Sequence, residues 1–164
     1  MAATKFAFAV APGGAAMLAD LEAEKLVLTR FLGLLKTEQR ALKEGFVDAL
    51  EQLSQEKSKL VGELNKLEAA RDQAAARATA DGSAIESWIA REGGVPATQC
   101  WLELIDSARE ARRINQINGV LIDTLMRNNR RALNMLQTAA QRASLYGPDG
   151  HNQNYTGGRW LGAA

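Results

Sequence analysis

The chain has 164 residues, a formal net charge of +1 and only 5% aromatic residues. Ala, Leu, Glu, Lys, Gln and Arg dominate, which is the composition of helical bundles and coiled coils, and near-neutrality removes any global field toward nucleic acid or anionic lipid. One cysteine and one histidine exclude a zinc site and a Cys/His catalytic pair, and a lone cysteine fits a reduced, cytoplasmic setting.

Residues 1–16 read as a flexible N-terminus. The apolar start Phe6-Ala7-Phe8-Ala9-Val10 is too short to span a membrane, and Pro12-Gly13-Gly14 follows at once, so neither stable membrane insertion nor a signal peptide is expected. From Leu18 a heptad pattern begins. Its a-type positions are Leu18, Lys25, Leu32, Gln39, Phe46, Leu53, Leu60, Leu67 and Ala74. Its d-type positions are Leu21, Leu28, Leu35, Leu42, Ala49, Glu56, Glu63 and Ala70. All are apolar except Lys25, Gln39, Glu56 and Glu63, and no proline interrupts the run. The pattern predicts one helix over about 17–80, roughly 90 Å long at 1.5 Å per residue, which needs a partner along its length. The four polar seam positions are expected to fix register.

Asp81-Gly82-Ser83 breaks that helix. Ser83 and Glu86 have the spacing of a capping box, which predicts a short helix over 84–92 with Ile85, Trp88 and Ile89 on its apolar face. Glu92-Gly93-Gly94-Val95-Pro96 then turns the chain, and Thr98 is placed to cap a last helix over about 98–144. That helix carries Trp101, Leu102, Ile105 and Ala108 on one side at its start. Further on it carries two adjacent apolar lines. The first is Ile114, Ile117, Leu121, Leu125, Ala132, Met135 and Ala139. The second is Ile122, Met126, Leu133, Leu136 and Ala140. Together they are wider than a two-stranded seam requires, so this helix either sits in a larger bundle or offers part of its face to a partner. The fold class expected is all-α, an elongated antiparallel coiled coil or three-helix bundle: a long N-terminal helix, a short middle helix and a long C-terminal helix. Residues 145–164 form a closing Leu145-Tyr146-Gly147-Pro148-Asp149-Gly150 segment and a polar, glycine-rich tail that reads as disordered.

No catalytic constellation and no glycine-rich phosphate loop after a strand is present, so no enzyme activity and no cofactor is expected. Two arginine clusters, Arg109/Arg112/Arg113 and Arg127/Arg130/Arg131, stand five helical turns apart. Nearby Glu110 and Asp123 favour a solvated or ion-paired face over nucleic-acid binding. Five asparagines, at 115, 118, 128, 129 and 134, punctuate the last helix although Asn is a mediocre helix former. They are either interior amides that set register or groups that hydrogen-bond a bound chain. Gly119 in mid-helix suggests close approach of another helix.

The ordered set N-x-x-N-G at Asn115, Asn118 and Gly119, N-x-x-A-L at Asn129, Ala132 and Leu133, and L-Y-G-x-D-G at Leu145–Gly150, after a leucine heptad helix, resembles the FlgN family of flagellar export chaperones. The resemblance runs over about residues 18–158 and is specific in the last third. It implies a cytoplasmic helical chaperone without cofactor. Such a chaperone binds the helical C-terminal end of hook-associated proteins of the FlgK and FlgL type, prevents their premature assembly and delivers them to the export gate, FlhA. The client-binding residues it implies are Asn118, Gly119, Ile122, Met126, Asn129, Leu133 and Leu136. The export-gate contact it implies is Leu145, Tyr146 and Gly147; the alternative, which the resemblance favours less, is that Leu145 or Tyr146 folds back to close the helix cap. The alternative to a chaperone is a structural or tethering coiled coil. Self-association stays open, because a helix of this length pairs with its own copy as readily as it folds back.

Overall fold

A computed structural model describes residues 12–78 and 84–145. They form three α-helices, α1 (Pro12–Glu44), α2 (Val47–Ala78) and α3 (Ile85–Leu145), and no strand occurs among them. The all-α, three-helix class is the one expected. Residues 1–11 and the tail beyond Leu145 lie outside the described residues.

The single helix expected over 17–80 is two helices. Gly45 adopts φ 77°, and the Phe46 N–H bonds the Ala41 carbonyl at 2.9 Å. That six-to-one bond around a left-handed glycine is a Schellman cap, which closes α1 after Lys43 in its last turn. A side-chain-bearing residue would resist this backbone, whereas glycine takes it without a Cβ penalty. The chain then reverses, and α2 packs antiparallel on α1. The N-terminal boundary also differs from expectation. α1 begins at Pro12 rather than after it, because a first helical residue needs no N–H partner and proline's fixed φ suits that position.

The heptad register of α1 holds: Leu21, Leu28, Leu35 and Leu42 are all buried. Beside them the neighbouring line Met17, Glu24 and Glu38 is buried too. In α2 the a-type Leu60 is buried, while Glu56, Glu63 and Ala70 face solvent and the half-buried Lys57, Leu64 and Arg71 take their place. Two of these cations meet the two buried glutamates of α1. Arg71 pairs with Glu24, and Lys57 with Glu38 at 3.0 Å. The partners are spaced equally on both helices, so a slip of the hairpin would strand two buried carboxylates at once.

α3 is interrupted at Gly94, whose φ 64° and ψ −160° are essentially glycine-only. The break expected between a short and a long helix is therefore real. Its details differ. Pro96 lies in the first turn after the break, where no intrahelical N–H is lost. Thr98 does not cap backbone N–H groups, because its hydroxyl donates to the Gly94 carbonyl at 2.8 Å. Gly93 is glycine for want of room: a Cβ there would lie 2.4 Å from Ala97 Cβ and 2.8 Å from Met17 Sδ. Trp88 and Ile89 are buried as expected, Ile85 partly so. Past the break, Ala97, Cys100, Trp101, Leu104, Ala111 and Ile114 complete one core with Met17, Leu21, Leu28 and Leu35. Leu102, expected on that face, is exposed. Each fully buried aliphatic side chain contributes roughly 1.5–3 kcal/mol. Contacts between residues 25 and 103 and between 35 and 118 show that this part of α3 runs parallel to α1.

Candidate partner-binding face of α3

The last fully buried residue of α3, among those whose side chains are described, is polar. Asn118 donates from Nδ2 to the Leu35 carbonyl at 2.9 Å and to Glu38 Oε2 at 2.8 Å. Lys57 Nζ reaches the same carboxylate. One residue from each of the other two helices thus converges on Glu38, and Asn118 Oδ1 is buried with no partner among the described residues. Asn118 is thereby an interior amide that sets the register of α3 against α1. The other four asparagines are exposed. Gly119 is exposed as well, and a Cβ placed on it would meet nothing within 4 Å.

The cluster at the opposite end of the same core is built from a different set of charges. Arg71 lies over the Trp101 ring, 5.0 Å from its centroid, and also bonds Glu24. Burial pushes the Glu24 carboxyl above its ordinary range, and Arg71 only partly offsets this. Around this pair lies a cavity of about 110 Å³ that includes Met17, Leu21, Ala74, Trp88 and Ile89. Lys25, one of the polar seam positions, bonds Glu103 of α3. The Glu103 carboxyl is held below its ordinary range by the Gln99 amide first and by Lys25 second. Burial pushes the Cys100 thiol up, so it stays protonated and inert at neutral pH. Among the described residues no group of His, Cys, Asp and Glu could hold a metal ion, and no helix is long and apolar enough to cross a membrane.

From Ile122 to Arg142 no described side chain is buried, and only Leu125 is even half-buried. Ile122 is 36% exposed, Met126 59%, Leu133 58% and Leu136 67%. Four of the seven residues that the resemblance assigned to the client, together with Asn129, therefore share one accessible helical face by their three- and four-residue spacing. Asn118 is not among them. Leu145 is the last helical residue described, and Tyr146 and Gly147 lie outside the described residues.

The two arginine clusters of α3 differ. Arg109 bonds Asp106 at 2.9 Å, and Arg113 bonds Glu110 at 2.7 Å. The Arg113 guanidinium beside Glu110 holds that carboxyl below its ordinary range. Arg130, Arg131 and Arg142 have no ion-pair partner among the described residues, and Arg127 donates only to the Thr124 hydroxyl at 3.3 Å. The residues sequence reasoning missed are Gly45, Glu24, Glu38 and Arg71. Gly45 after Lys43 was a legible stop signal. The buried carboxylates carried no local signal, because their partners are far away in sequence.

No curated protein and no solved structure matches the chain. The family profile described as FlgN protein matches residues 15–154, which takes in α2, α3, all of α1 but its first three residues, and all three motifs. The chain accordingly belongs to the FlgN family, the flagellar export chaperones.

Proposed function

We propose that this chain is a cytoplasmic chaperone, not an enzyme, that holds the helical C-terminal end of hook-associated proteins of the FlgK and FlgL type against the exposed face of α3. On this reading the chaperone then hands its client to the export gate, FlhA, through Leu145, Tyr146 and Gly147. One observation carries the reading: an apolar stripe of Ile122, Met126, Leu133 and Leu136 lies on a stretch with no buried side chain. Such a stripe suits an amphipathic helix whose own apolar face needs cover until export. Capture without cofactor or hydrolysis is sufficient, because release can be driven by the client's departure.

Co-purification with a FlgK-type protein tests this. Full-length client should be retained and client lacking its C-terminal residues should be lost. Leu133→Asp should leave the chaperone folded and abolish capture, since Leu133 is 58% exposed. Undiminished capture by that variant would remove the α3 face from the proposal.

A further inference from the structure

We infer that the α3 face selects an amphipathic helix that carries a row of carboxylates along one flank. The inference rests on the proposed use of that face for docking and adds the chemistry of what docks. With successive residues about 100° apart, Ile122, Met126 and Leu133 fall within about 40° of one another. Arg130 stands on one shoulder of this stripe, with Asp123, Arg127 and then Arg131 behind it, so three cations and one acid share that side. The opposite shoulder carries Leu125, Ala132 and Asn128 and no charge.

The cations are also uncommitted. Between residues 122 and 142 four arginines face one acid, Asp123, and none of them forms an ion pair among the described residues. Upstream on the same helix Arg109 and Arg113 are neutralised by Asp106 and Glu110. A shoulder of unpaired guanidiniums beside an apolar stripe complements a helix with glutamates or aspartates flanking its leucines. A second copy of this face fits poorly, since against that shoulder it would present three arginines and a single aspartate. A lipid surface fits poorly too. Interfacial helices keep their polar groups off the apolar face, whereas Asn129 lies within this stripe and would lose its hydrogen bonds in hydrocarbon. Against a peptide, the Asn129 amide retains partners.

The test uses the full chain and three labelled synthetic helices with identical leucine faces and flanks of Glu, Gln or Lys, titrated by fluorescence anisotropy. At low salt the Glu-flanked helix should bind about tenfold tighter than the Lys-flanked one, and the gap should shrink toward unity as salt rises. The combined variant Arg127→Glu, Arg130→Glu, Arg131→Glu should invert the order while retaining the wild-type circular dichroism. Leu133→Asp should weaken all three. Equal binding of the three helices, lost in Leu133→Asp, would overturn the charge selection and leave the docking face standing. Failure of every helix to bind would overturn both. Binding to phosphatidylglycerol vesicles with no preference among the peptides would assign the arginines to a membrane surface and overturn the inference.

Discussion

Two stretches of α3 share a sequence style and have opposite surroundings. Residues 97–118 and 122–142 both repeat apolar side chains at gaps of three and four, both contain an arginine cluster and both contain asparagine. In the first, Ala97, Trp101, Leu104, Ala111 and Ile114 are buried, Asn118 is bonded inside, and two arginines are matched by acids one turn away. In the second no described side chain is buried, one acid, Asp123, stands against four arginines, and none of these arginines forms an ion pair among the described residues. Periodicity says that a face wants cover. Burial says where the chain supplies that cover itself, and the unpaired arginines beside the uncovered stretch are left for a partner's charges.

The sharpest way to break this comparison is to put the same charge on both stretches. Leu104 is 3% exposed in a core shared with α1. Leu104→Asp should cost about 3–5 kcal/mol in urea denaturation, from a lost buried leucine and an unpaired buried carboxylate. Leu133→Asp should change stability by no more than about 0.5 kcal/mol. Similar losses at the two positions would mean that the second stretch is covered like the first.

The border between the stretches gives a smaller effect. Asn118→Ala removes the donor to both the Leu35 carbonyl and the Glu38 carboxylate, and should cost roughly 2 kcal/mol. Because Asn118 Oδ1 is already unpartnered, the loss should be that of its two donated bonds alone. Hydrogen exchange should quicken around residues 111–118 before it changes near Trp101. A uniform change along the helix would deny Asn118 its role as the local clamp.

Much of this was legible in the chain. The leucines at 21, 28, 35 and 42 announced the buried line of α1, and the glycine pair at 93 and 94 announced the break in α3. The motif residues Asn118 and Gly119 were singled out, but only the fold separates an amide turned into the bundle from a glycine in open space. The hairpin at Gly45 was hidden because Phe46 and Ala49 continue the heptad across it, although both are exposed. Once the chain folds back there, α2 needs a seam of its own, and it shifts to Lys57, Leu64 and Arg71. Local pattern cannot report that shift, since the buried acids that select Lys57 and Arg71 lie on another helix.

The smallest effect separates charge from apolar cover. Asp106→Asn with Glu110→Gln frees Arg109 and Arg113 and makes the first stretch basic like the second, without touching its core. Glu110 is half-exposed and its carboxyl is held below the ordinary range by Arg113, so its small stabilisation is present above that range and fades as pH falls through the lowered value. The double variant should therefore lose only this acid-side dependence, and its stability at neutral pH should match the wild type closely, as exposed pairs contribute little. Its affinity for a Glu-flanked helix should stay within about twofold of the wild type, because freed arginines beside a covered face offer a partner charge but no apolar surface. A several-fold gain would show that arginines alone recruit an acidic helix, and would take from the stripe of Ile122, Met126, Leu133 and Leu136 its part in deciding where a partner binds.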